Sequence, residues 1–265
     1  MALEAERGGS LFLLVQGGRL RRRLTPALAL MTTFTASSVI QFLGHIEDHG
    51  AETMFRGQGS AAWPLLPSIA RFATKLDGYD CISDLEEHLL ERFRQFGVSF
   101  QDFRKLPIIE QLVHAQHYGL PTRLLDWSTN PLKALFFATE EPQLDSLDGV
   151  VYITHPNFWV EGTTHIREVK AFLACFPEVL HERIAAQDAC FLVFPLSKTD
   201  MSVPELSAAS FPGALDFLHE IIIPSGAKRD LRKQLSVLGV THRSVYPGLE
   251  GTTRWIKSEL SNFLV

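Results

Sequence analysis

Two charged side chains and one polar run, far apart in the chain, stand in settings where chemistry can occur. Arg56 lies in Met54-Phe55-Arg56-Gly57-Gln58, which reads as a short strand broken by Gly57 and Gly59. A strand-end arginine offers a planar fork that can grip phosphate at two points, and a neighbouring glycine lets a ligand approach the backbone. The same arginine could instead pair with a buried carboxylate. Glu220 directly precedes Ile221, Ile222 and Ile223 and then Pro224. A carboxylate at the margin of a buried strand requires a partner or a task, unless that strand is an exposed edge. Between them, Gln116 to Pro131 gathers His117, Arg123, Asp126, Ser128, Thr129 and Asn130 among apolar residues.

Glu110, His114 and His117 fall at i, i+4 and i+7 on one helical face, a metal-ligand spacing. No H-E-x-x-H pattern accompanies them, so a hydrogen-bonded histidine pair is the better reading and no metal is expected. His117, beside Gln116 and Tyr118, is instead a candidate for contacting substrate. Arg123 and Asp126 are expected to pair and brace the stretch that carries them. Arg183 and Gln187, one helical turn apart, reach the same pocket or lie on a surface face. Trp63 and Trp127 read as core.

Local signals define the elements that must hold these groups. Ser37 or Ser38 caps a helix through Val39, Phe42 and Ile46, and Ser83 caps a long one through Leu85 to Phe96. A helix over Ile108 to His117 ends at Gly119 and Pro121. The polar stretch after it reads as a binding or catalytic loop. A further helix starts at Asn130-Pro131, with a cap from Ser128, Thr129 or Asn130 and proline in the first position. Val150 to Ile153, Cys190 to Phe194 and Phe217 to Ile223 read as strands. Val169 to Ala174, Pro177 to Ala186, Lys228 to Leu238 and Thr253 to Leu264 read as helices, and Pro195 to Phe211 as a loop.

The chain has 265 residues, 46% hydrophobic and 21% charged, which describes an ordinary globular protein. A net charge of −5 argues against strong non-specific nucleic-acid binding. Cys81, Cys175 and Cys190 are odd in number and lack a C-x-x-C spacing, so a reduced setting is expected. The acidic start, Met-Ala-Leu-Glu-Ala-Glu, and the short apolar run Leu11 to Val15 argue against a signal peptide, and no stretch approaches membrane-spanning length. A cytoplasmic, non-membrane protein is expected. Residues 1–32, with Gly8-Gly9, Gly17-Gly18 and the basic run Arg19 to Arg23, read as a loosely ordered arm.

Several linked motifs carry a family likeness. Phe55-Arg56-Gly57-Gln58, Trp63-Pro64-Leu65-Leu66-Pro67-Ser68, Arg71-Phe72, the Gln116 to Pro131 run, Arg183 to Phe191 and Ile222-Ile223-Pro224 together resemble the FRG domain, from about Ser37 to Ile256. A second likeness is to ADP-ribosyltransferases. Phe55-Arg56-Gly57, Ser128-Thr129-Asn130 and Glu220 before Ile222-Ile223-Pro224 resemble that superfamily's order of Arg, Ser-Thr-Ser and Glu. Asn130 replaces the second serine. Leu218 stands where members that modify arginine carry an earlier Glu or Gln, so protein-arginine acceptors are not expected.

Helices in the first half and strands in the second read as a single α+β domain over residues 33–265. Helices lie mainly in its first half and pack on a mostly antiparallel sheet, split as in ADP-ribosyltransferases. The resemblances imply NAD as substrate, with Glu220, Arg56 and Ser128 catalytic. Arg56 would hold the NAD phosphates or the nicotinamide ribose, and the Gly57 backbone the nicotinamide amide. Ser128 would orient Glu220, which would bond the ribose 2′-hydroxyl and stabilise the positive charge that develops as nicotinamide leaves. Gln58, His117, Arg123 and Thr129 complete the NAD-contacting set. The acceptor would be a nucleic acid or protein, with simple NAD hydrolysis also open. A bacterial toxin or anti-phage effector would bring an antitoxin as partner. The rival reading is a non-catalytic FRG module that binds RNA or protein.

Overall fold

Alternating apolar residues and well-placed caps produce eight strands and eight α-helices among the residues that the computed structural model describes, 31–50, 52–73, 78–160, 166–178, 182–207 and 213–260. Nearly all of the expected arm, residues 1–32, lies outside them. The strands are β1 (Thr33–Thr35), β2 (Met54–Gln58), β3 (Leu124–Ser128), β4 (Gly149–Pro156), β5 (Trp159–Val160), β6 (Leu173–Cys175), β7 (Ala189–Val193) and β8 (Leu215–Ile223). The helices are α1 (Val39–Gly44), α2 (Ile82–Gly97), α3 (Ile108–His117), α4 (Pro131–Thr139), α5 (Glu182–Ala186), α6 (Lys228–Val237), α7 (His242–Val245) and α8 (Gly248–Leu260).

The strands join in the order β1-β8-β4-β2-β3-β7-β6-β5. The pairs β1–β8 and β5–β6, towards the two edges, are parallel; the others are antiparallel. This is the α+β class that the sequence implies. Its continuity hides a seam. β2 and β4 share five register pairs, Met54 with Thr154 to Gln58 with Val150, and β3 and β7 share five, Leu124 with Val193 to Ser128 with Ala189. β2 and β3 share one, Phe55 with Ser128. The sheet is thus two four-stranded halves that part beyond that pair, leaving the β2 edge from Arg56 to Gln58 without a strand partner on that side.

Helices cover one face of each half. Phe55, Val151, Ile153, Ile221 and Ile223 pack against α1, α4 and α6, while Leu124, Phe191 and Val193 pack with apolar residues of α2 and α3. The other face carries Met54, Trp127, Tyr152, Cys190 and Leu218 and is closed by Leu65, Phe172 and Leu206 from connecting segments. All three cysteines are buried free thiols. No helix among the described residues is long and apolar enough to cross a membrane.

Local signals predict most boundaries. The Ser38 side chain accepts from the Gln41 amide and caps α1, and Gly119 takes φ +87° where α3 ends. Asn130 accepts from the Leu132 and Lys133 amides, with Pro131 at the first turn of α4. Three expectations are corrected. The long helix is capped at Cys81, not Ser83. Leu124–Ser128 is an internal strand, not a loop, because Leu124, Leu125 and Trp127 find apolar partners on both faces. Val169 to Ala174 is not helical; Leu173–Cys175 extends because it pairs with β7, a tertiary override of local preference.

Candidate functional site

Where the half-sheets part, a cleft of about 850 Å³ opens between β2 and β3, a size suited to a small-molecule ligand. Arg56, Gly57 and Gln58 line one side, and Asp126, Trp127 and Ser128 the other. The C-terminal end of α4 contributes Phe137, Glu140 and Glu141, and α5 with the residue after it contributes Arg183 and Gln187. The rim carries Trp63, Arg71 and His117. Trp63, expected in the core, is 47% exposed there.

Arg56 is the centre of this arrangement. Its Nη1 donates to the Asp126 carbonyl at 2.6 Å, bridging the parted strands. Among the described residues no carboxylate bonds it, and its buried Nε has no hydrogen-bond partner. Burial holds the guanidinium below its ordinary range, an effect that nearby Asp126 opposes. Gln58 Oε1 and Trp127 Nε1 are also buried without a partner. A buried polar atom left unpaired costs about 1–3 kcal/mol. Three residues that line the cleft, Arg56, Gln58 and Trp127, each carry one such atom.

Gly57 is required for a reason other than ligand approach. A Cβ there would lie 1.8 Å from the Ala134 carbonyl, so the missing side chain is what lets α4 pack on β2.

The structure separates the expected catalytic set. Arg56, Tyr152 and Glu220 are in register on β2, β4 and β8, with side chains on one face and Tyr152 in the middle. Two strand spacings put Arg56 and Glu220 roughly 10 Å apart at their Cα atoms. Glu220 is half-buried, its carboxyl raised by burial against a 3.4 Å bond from the Thr33 hydroxyl, and it lies outside the residues lining the cleft. Burial, and next the Glu220 charge, push the Tyr152 hydroxyl up to about 12. Ser128 lines the cleft but belongs to the opposite sheet face, in register with Phe55. Its hydroxyl donates to the Gln187 carbonyl at 2.7 Å and accepts from the Asn130 amide at 3.0 Å, so it braces the cleft wall and is not bonded to Glu220.

Of the expected NAD contacts, Arg56, Gly57, Gln58 and His117 line the cleft, and Arg123 and Thr129 do not. Arg123 is 2% exposed and pairs with Glu86, at 2.6 Å from both Nε and Nη2, not with Asp126. Asp126 accepts instead from Gln116 Nε2 at 2.8 Å. The Thr129 amide and hydroxyl both donate to the Asp188 carbonyl. Arg183 and Gln187 do reach the pocket, as their spacing allowed.

Glu140 was not anticipated. Burial pushes its carboxyl up to about 7, although the Tyr246 hydroxyl and Arg254 favour the charged form. Its partners come from elements more than forty residues downstream, and no spacing around Ala138-Thr139-Glu140-Glu141 marks it.

No curated protein and no solved structure matches the chain. Residues 51–146 match the family model of the FRG domain, a stretch that is similar to that domain and holds both Phe55-Arg56-Gly57 and the Gln116 to Pro131 run, with β2, β3 and α4; Arg183 and Gln187, which also line the cleft, lie outside it.

Proposed function

We propose that the cleft binds NAD and breaks its nicotinamide–ribose bond, passing ADP-ribose to a macromolecular acceptor or to water. The observation that carries this reading is Arg56, half-buried where the half-sheets part, with its Nε unpartnered and, among the described residues, no carboxylate bonded to it. Such a guanidinium is prepared for a bidentate anion, and a diphosphate supplies one. Arg71 and Arg183 add positive charge to the same cleft. Trp63 and Phe137 offer flat apolar surfaces for a ring, and Gln58 Oε1 can accept from an amide such as that of nicotinamide. Glu220 remains assigned through the transferase resemblance, from its place in the row of Arg56 and Tyr152.

The test is calorimetric titration of the protein with NAD, followed by release of nicotinamide and labelling of a lysate from radiolabelled NAD. Binding that Arg56→Ala weakens, with nicotinamide released, supports the reading. Loss of release in Glu220→Gln, with fold and binding kept, supports the role of that residue. Folded protein that binds no NAD overturns the reading and leaves the non-catalytic module.

A further inference from the structure

A carboxylate that the transferase resemblance does not mention stands in the cleft wall. Glu140 caps the C-terminus of α4, lines the cleft, and has a side chain 9% exposed. The Tyr246 hydroxyl donates to it, 2.8 Å from Oε1 and 3.0 Å from Oε2. Tyr246 is itself held by two guanidinium groups, Arg254 at 4.3 Å and Arg183 at 5.1 Å from the ring centre. His242 Nε2 lies 3.9 Å from Oε2. Gln187 ties this wall to the seam, since its carbonyl accepts from Ser128 and its side-chain amide donates to the Val245 carbonyl. The carboxyl is therefore fixed in orientation within the cleft wall.

On the reading that the cleft cleaves NAD, we propose that Glu140 is its general base and takes the proton from the hydroxyl, of acceptor or water, that attacks C1′ of the ribose. The C1′–N bond breaks, and its electron pair passes to the pyridinium nitrogen, giving neutral nicotinamide. A C1′–O bond forms from the incoming oxygen, and that oxygen's proton moves to a Glu140 oxygen and then to solvent. Arg56 holds the diphosphate meanwhile.

The groups facing Glu140 set its proton affinity. Burial raises it most, the Tyr246 bond and Arg254 lower it, neighbouring Glu141 raises it, and Arg183 lowers it; together they leave the carboxyl at about 7. A base works best when its proton affinity lies near the operating pH.

The experiment measures NAD hydrolysis and NAD affinity across the pH range for the wild type, Glu140→Gln and Tyr246→Phe. The wild type should lose about tenfold in kcat/KM per unit below a limb near pH 7. Glu140→Gln should fall about a hundredfold and lose that limb while binding NAD as before. Tyr246→Phe, which removes a bond favouring the carboxylate, should move the limb to higher pH, a change that a purely structural role would not produce. A limb that persists unchanged in Glu140→Gln overturns the inference and leaves the NAD reading standing. NAD bound without turnover at any pH also overturns it, whereas no NAD bound removes both.

Discussion

Phe55 of β2 and Ser128 of β3 are the one register pair that holds the two half-sheets together. Past it the chains diverge, and Arg56 and Trp127, which would have paired next, face an opening instead of each other. A full ladder there would satisfy the β2 edge with backbone and leave no cleft.

Gln58 carries a buried Oε1 without a partner, so it destabilises the unliganded protein. Gln58→Leu should raise stability by about 1 kcal/mol in urea unfolding, because an unsatisfied acceptor is removed. The same change should weaken NAD binding about tenfold by calorimetry. Lower stability with unchanged affinity would show the residue to be a packing element only.

Gly57→Ala should destabilise by about 3 kcal/mol, since its Cβ meets the Ala134 carbonyl at 1.8 Å and α4 must shift. The measurement is chemical denaturation at equilibrium. A neutral result would mean that α4 is looser on β2 than this contact allows.

Arg123 and Glu86 form a buried ion pair away from the cleft. Arg123→Ala should cost about 3–5 kcal/mol, because the Glu86 charge is left buried without its partner. The double replacement Arg123→Met with Glu86→Leu should recover most of this. Thermal unfolding of the three variants tests the pair. A ligand-contacting Arg123 would instead lose affinity at constant stability.

Glu140 links stability to pH. Its folded carboxyl stands at about 7 against an ordinary 4.5, so between these values the folded protein keeps a proton that the unfolded chain has released. Stability contributed by this group is full below the unfolded value and is lost as pH rises through the folded one. The whole change is about 3 kcal/mol. Urea unfolding between about pH 5 and pH 8 should show this decline in the wild type and a flatter profile in Glu140→Gln. Parallel profiles would contradict it.

Elements with local causes were legible. Ser38 before Val39, Asn130-Pro131 before an alanine-rich run and Gly119 after His117 mark their boundaries by capping and φ preference alone. That Arg56, Arg183 and Gln187 line one cleft is in keeping with their residue types and spacing. Nearness in sequence favours Asp126 as the partner of Arg123, but the partner is Glu86, 37 residues away. The motif around Ser128 carries no sign of its sheet face, which is decided by register with Phe55. Residue type places Trp63 in the core, whereas it is exposed and lines the cleft.

The α+β class and most element boundaries follow from caps, turns and apolar periodicity, which act over a few residues, and the FRG likeness rests on motifs around Arg56 and Gln116 to Pro131. Only the tertiary structure decided that the sheet parts after one pair and that Arg56 is left with an unpaired Nε. It likewise decided that Glu220 sits behind Tyr152 while Glu140 faces the cleft. Register and burial arise from contacts between distant segments, and a single chain read in order carries no measure of them.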